Sequence, residues 1–546
     1  MKSSMTPRFV DLFGYVSLLS RAGTLIFQSM VLGGVLFLLW VTIPAPYIPE
    51  TTCASIRSRC SQLLRISAIG LAVAQGVSLY LDSVVLMWTV DIRFSDVIGA
   101  TFFVAGVCIV IAAICIFCIA NAATGVRSFG LLALAVIILS ASAIGSHAAA
   151  RVNGRPLLLV VTFLHEAAAG LWIGGLPFLI LSLRTKHHQT QWLLASRFSR
   201  AAVLCVSVLL GSGLALSLAY IGRLDAILGT AYGVMVTAKA AMFGVLALVG
   251  AINFFLLRNA APQAAVPKLR SLVEAEFGIG LAVILTAVTL TSHPPAVDLQ
   301  NEVVSPHAIL ARLSPSWPRL TYPRPISSYS DGSPMKEAQA RSSMVKDADG
   351  KFLSYKQLAD IGESEANHHW MGLIVLAMGI LALLARAGKF PWARYWPLLL
   401  ICISVFIFLR ADTESWPFGS QGFWAVWLHA EVFQHRLAAL FCAGFAVFEL
   451  RARNRGVDNP SFAMVFPILC ALGGAVLLTH SHSVTNTKEQ LLTELSHVPL
   501  GIFAILAGWS RWLEIRMPTA NRRLPSLIWP VCFLLIAAGL LNYREL

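Results

Sequence analysis

The chain has 546 residues, 57% of them hydrophobic and only 12% charged, with a mean hydropathy of +0.73. That balance excludes a water-soluble globular protein and fits a chain that crosses a membrane many times. The formal net charge of +14 would point to nucleic acid only if the basic residues formed a patch on a soluble domain. Here they fall in short connections between apolar runs, so membrane lipid, not nucleic acid, is the expected partner.

A run of about twenty apolar residues is long enough to cross a bilayer as a helix. Eight such runs come first, near 24–44, 63–82, 97–120, 129–147, 157–183, 200–221, 232–257 and 275–292. The first is too long for a signal-peptide core and no A-x-A cleavage site follows it, so it reads as an uncleaved helix. A polar stretch rich in Pro and Ser follows, about 293–368. Its Ser314–Pro334 part has too few apolar residues for a core of its own, and Lys336–Glu365 could hold a short surface helix. Six more runs follow near 370–387, 394–410, 423–449, 462–480, 495–513 and 526–542. The predicted fold is therefore all-α, a polytopic transmembrane helical bundle of about fourteen spans, eight plus six. Its parts are a membrane domain 1–295, a polar linker 296–366 and a second membrane domain 367–546. The halves show no convincing repeat.

Short basic connections mark the cytoplasmic side. Arg57, Arg59 and Arg65, then Arg184, Lys186, Arg197 and Arg200, then Arg258, Lys268 and Arg270 occupy every second connection of the first half. Arg386, Lys389 and Arg394, then Arg451, Arg453 and Arg455, then Arg511, Arg516, Arg522 and Arg523 continue the pattern. The alternate connections are acidic or near neutral. This places both termini and the polar linker in the periplasm, with Lys2, Arg8, Arg21, Arg151 and Arg155 as the minority against it. Cys108, Cys205, Cys402, Cys442, Cys470 and Cys532 lie within apolar runs and read as small core residues.

On this topology only His187 and His188 of the thirteen histidines fall inside. His147 and His293 end spans on the outer side, and His165 lies within the fifth span. His368 and His369 open the ninth, and His429 and His435 lie in the outer part of the eleventh. His480 and His482 close the twelfth, and His497 opens the thirteenth. Neutral imidazole is the commonest metal ligand and suits copper, zinc, iron and nickel. His480, His482 and His497 are separated by one short loop and must be near in space. With His435, and with His147, His165 and His293 in the first half, they are the candidate metal ligands. His368, His369 and His429 are weaker candidates. Four of these positions carry a Ser-His dipeptide, at 146, 292, 481 and 496. The serine either fixes the imidazole or is simply common at helix ends.

Within the fifth span, His165 and Trp172 share a face, and Gly174-Gly175 lets a neighbouring helix come close. Glu166 and Lys239 lie at similar depth and could form a buried ion pair. Alternatively, Glu166 is itself a ligand or proton acceptor beside His165.

Several ordered motifs resemble a known family. They are His165…Leu171-Trp172-Ile173-Gly174-Gly175, Phe198-Ser199-Arg200, Thr230-Ala231-Tyr232-Gly233 leading to Lys239 and Asn253, Glu276, and Pro294-Pro295. Over about 60–295 the chain resembles the CopD copper-resistance family of bacterial inner-membrane proteins. The resemblance implies eight helices, a periplasmic N-terminus and copper handling, with a periplasmic copper carrier (CopC) as partner. It assigns nothing to the histidines of the second half. The expected function is a copper-binding inner-membrane protein, not an enzyme, that takes up or passes on copper ion, as Cu+ or Cu2+. No G-x-x-x-x-G-K-[ST] phosphate loop is present, which argues against ATP-driven pumping. The alternatives are a b-type haem electron carrier, with haem held by His435 and His480 or His497, and a copper chaperone that does not transport.

Overall fold

The computed structural model describes residues 6–43, 50–122, 126–185, 187–299, 302–323, 354–412, 415–427, 429–454, 460–478 and 487–545. Among them the secondary structure is helical, apart from one isolated bridge between Ser415 and Gln421. Among the described residues, thirteen helices are long and apolar enough to cross a membrane. A fourteenth, Val465–Leu478, is apolar but shorter. It falls where the sequence predicts 462–480, and residues 479–486 lie outside the described set.

The described helices form two compact units. One comprises Phe13–Gly222 and Lys239–Ser292. Its helices are α1 (Thr6–Leu36), α2 (Glu50–Val90), α3 (Thr101–Ile119), α4 (Val126–Ile144), α5 (Arg155–Ile173), α6 (His188–Ile221), α7 (Ala231–Asn259) and α8 (Pro262–Thr291). The first residues of α1 and of α7 belong to the other unit. Gly154, at φ +69°, turns the chain into α5, where Pro156 supplies the preset φ of a first helical turn. Helix α8 is largely enclosed: 72% of the residues in its most apolar stretch are buried, as expected of a helix that is apolar on most faces. Ile111, Phe129, Leu204, Leu214 and Leu218 instead point outward, the faces that lipid covers.

Helix α5 breaks at Gly174-Gly175 and resumes as Leu176–Ser182. The break lies against α1. A side chain on Gly174 would overlap the Ser29 carbonyl, and one on Gly33 would overlap the Gly174-Gly175 backbone. Backbone meeting backbone cannot relax by a rotamer change. Gly174→Ala is therefore expected to destabilise the protein by about 2–3 kcal/mol, measured as a lowered unfolding midpoint in detergent. A midpoint equal to wild type would show that α1 does not pack here.

The other unit comprises Met1–Leu12, Arg223–Ala238 and His293–Leu546. It contains α9 (Tyr355–Ala387), α10 (Leu398–Arg410), α11 (Ala430–Asn454), α12 (Val465–Leu478), α13 (Thr487–Arg516) and α14 (Pro525–Leu541). Helix α9 starts with a capping box, Ser354 and Gln357 bonding each other's backbone, and ends at Gly388 with φ +71°. The surface helix considered for 336–365 is, over 355–365, the first three turns of α9. The core is built on Trp396, Phe466, Trp529 and Phe533. The Trp396 and Trp529 ring centres lie 5.3 Å apart and those of Trp396 and Phe466 5.7 Å. Beside this aromatic group Glu449, fully buried, accepts hydrogen bonds from Arg453 and Arg511, both at 2.9 Å. Arg511 also reaches Glu514 at 2.7 Å, and Trp529 Nε1 donates to the same carboxylate at 2.7 Å.

The ten cysteines are free. Cys205, Cys470 and Cys532 are buried, but Cys108 and Cys402 are exposed. An apolar run has a lipid face as well as a core face, and the run alone does not say which one a residue occupies.

Candidate functional site

In the first unit two groups of ionisable and polar side chains meet between the membrane-spanning helices. His165, partly buried on α5, has Nδ1 3.0 Å from Ser212 Oγ on α6. That hydroxyl donates to the Val208 carbonyl at 2.6 Å, so it accepts from the imidazole, and the ring carries its proton on Nδ1. The lone pair is then on Nε2, and Lys239 Nζ of α7 lies 3.4 Å from it. Glu166 points elsewhere. It accepts from Gln28 of α1 at 3.3 Å and from Ser142 of α4. It interacts with Lys239 through charge, but the closest polar contact of the ammonium is His165. Residues 165 and 166 are about 100° apart around a helix, so two neighbours of equal depth serve different partners.

About two helical turns beyond His165, Trp172 is almost fully buried and donates from Nε1 to Glu276 of α8 at 2.8 Å. Asn253 of α7 donates to the other oxygen of the same carboxylate at 2.6 Å. Trp172, Asn253 and Glu276 line a cavity of about 290 Å³ with Leu176, Phe198 and Phe254. Gly250 makes room for this contact, because a Cβ there would lie 3.3 Å from Trp172 and 3.4 Å from Glu276. His147 opens a short helix and its Nε2 donates to the Thr291 carbonyl at 3.1 Å.

Apart from His187 and His188, which also belong to the first unit, the remaining described histidines belong to the second. His293 is 4% exposed, neither ring nitrogen makes a hydrogen bond, and Nε2 lies 3.5 Å from the buried Glu494 carboxylate. His435 Nδ1 donates to Asp412 at 3.1 Å, the arrangement by which a carboxylate orients an imidazole. His369 accepts at Nδ1 from the Arg319 backbone N–H at 2.7 Å and donates from Nε2 to the Tyr543 carbonyl at 3.0 Å. Both its nitrogens thus tie backbone segments to α9. His368 stacks on Tyr543, and His497 stands at right angles to both. Burial and the adjacent Glu545 carboxylate hold the Tyr543 phenol well above its ordinary range. His429 precedes α11, while His480 and His482 lie outside the described residues. Of the serine partners, Ser496 Oγ comes within 3.2 Å of His497 Nδ1. Ser146 and Ser292 bond backbone carbonyls. Among the described residues no group of three or more His, Cys, Asp or Glu is arranged to hold one metal ion.

Sequence reasoning did not find Gln28, Ser142 or Ser212, nor the bond from Trp172 to Glu276. The usable signal was a polar residue in an apolar run, which Gln28, Ser142 and Ser212 all are. The Trp172 bond carried no local signature.

Helices of this length, with ionisable side chains between them, define a multi-pass helical membrane protein. Residues 192–290 match the profile of the family described as Copper resistance protein D (CopD), and over that segment the chain is similar to that family. It is also 34% identical over 161 residues to "Copper transport protein CutJ" of Bacillus subtilis (strain 168), covering 29% of each chain. The matched region thus spans less than a third of that relative's length. No solved structure matches.

Proposed function

We propose that the protein accepts copper at the periplasmic face of a bacterial inner membrane and passes it on as cargo, without catalysing a reaction. The observation that carries this reading is where the family match falls. Residues 192–290 supply Ser212 and Lys239, which fix and face His165, and Asn253 and Glu276, which hold Trp172. The matched segment is therefore the half of the polar interior that completes α5. A neutral imidazole suits copper, and His165 directs its Nε2 lone pair toward Lys239 Nζ, 3.4 Å away. A soluble periplasmic carrier of the CopC type is the expected donor. Ion movement is downhill or coupled to a second ion.

Purified protein reconstituted in lipid vesicles tests it. Copper is expected to accumulate inside vesicles that contain the protein and to stay outside empty ones. Equal accumulation in both would overturn transport and leave a copper chaperone.

A further inference from the structure

His293 follows α8 by two residues, and Glu494 lies near the start of α13; both belong to the second unit. Both side chains are more than nine-tenths buried. Neither ring nitrogen of His293 makes a hydrogen bond. Among the described residues the Glu494 carboxylate has one polar partner, that ring, with Oε1 3.5 Å from Nε2. This is too far for a good hydrogen bond. A buried carboxylate and a buried imidazole left without hydrogen bonds are costly, so the arrangement calls for a third body between them.

The separation fits a shared metal ion. Two atoms each about 2 Å from one ion lie about 2.8 Å apart at a right angle and about 4 Å apart on opposite sides. The observed 3.5 Å, atom to atom, falls inside that range. His293 also lines a cavity of about 10 Å³ with Thr230, Tyr232, Glu302 and Gln490, about the room one water needs.

We propose that His293 and Glu494 hold one copper(II) ion between them, with water completing its coordination. The identity of the metal rests on the copper reading above; the ligand pair does not. Soft copper(I) is selected by thiolate and thioether sulfur, whereas imidazole and carboxylate suit the divalent ion. No Cys or Met lines the cavity among the described residues. A nitrogen and oxygen site of this kind holds copper(II) more tightly than zinc(II). Structural zinc sites enclose the ion with four protein ligands. Here no third His, Cys, Asp or Glu joins the pair among the described residues, so positions stay open to water. An ion held in this way can be received and released, as cargo must be.

The test uses full-length protein in detergent, titrated with copper(II), with zinc(II) and, under reductant, with copper(I). Glu494→Gln keeps the side-chain volume and removes the anionic oxygen; His293→Gln removes the ring. Each variant is expected to bind one copper(II) fewer than wild type, or to bind that ion at least about tenfold more weakly, with copper(I) binding unchanged. The electron spin-echo signal lost in His293→Gln should be that of copper(II) on one imidazole. Copper(II) binding at the wild-type level in either variant, a loss seen with copper(I) instead, or tighter zinc(II) than copper(II) binding at this site would each overturn the proposal. A lowered unfolding midpoint in Glu494→Gln with copper(II) binding intact would mark the contact as an internal ion pair and overturn it as well. If neither variant folds, the wild-type protein decides. Copper(II) with ascorbate and peroxide oxidises a histidine that holds the ion, so the His293 peptide is expected to gain one oxygen in the mass spectrum; a His293 left unoxidised would sink the site. Binding in detergent does not depend on transport. Unchanged binding here leaves the uptake reading standing, and failed uptake leaves this ion site standing.

Discussion

Glu449→Ala is expected to lower stability by about 3–5 kcal/mol, the usual consequence of removing one partner from a buried ion pair. Glu449 on α11 has no solvent exposure. One of its oxygens accepts from Arg453, one turn later on the same helix, and from Arg511 on α13. The Arg453 and Arg511 side chains are 20% and 14% exposed, so neither can turn to water without unpacking. Truncation would leave Arg453 without its carboxylate and Arg511 with Glu514 alone. The aromatic group behind them is coupled to this network, because Trp529 donates to Glu514 and Arg453 lies 5.2 Å over the Trp396 ring. Glu449→Gln keeps an oxygen acceptor and the side-chain volume, so a smaller loss is expected. Unfolding midpoints in detergent for the three proteins decide the matter. An alanine variant within about 1 kcal/mol of wild type would mean that the guanidinium groups find other acceptors.

The largest functional effect is expected at His165. On the copper reading its Nε2 offers the lone pair, Ser212 sets the ring, and Lys239 holds the position when no ion is present. Removing a ligand costs more than loosening one, and loosening alone typically costs 10–100-fold in affinity. His165→Ala is thus expected to cut the initial rate of vesicle copper uptake by about 100-fold or more. Ser212→Ala, which keeps the imidazole but not its orientation, should cut it about tenfold. Uptake at the wild-type rate in His165→Ala would remove this residue from the copper path.

The helices were legible because bilayer thickness imposes a minimum apolar length on each one, and the long runs meet it. Even the short helix Val465–Leu478 lies inside its predicted run. Side-chain partners were far less legible. Glu449 and Arg511 are 62 residues apart, and Trp172 and Glu276 are 104 apart. Neither pair leaves a local pattern, because the pairing is set by how separate helices rotate against one another. Depth along a helix can be read from residue number, but the direction around it depends on neighbours. That is why Lys239, matched by depth to Glu166, lies closest to His165. Tyr543 carried no signal either, since its role depends on where the chain leaves α14.

The polar stretch is fastened to the start of α9. Pro323 packs at Gly362, and Arg319 binds Glu365 and His369. These three positions fall on one face of the helix. Sliding α9 along its axis by one turn, about 5.4 Å, would break all three contacts together, so residues 319–323 act as a clasp that sets the register of α9.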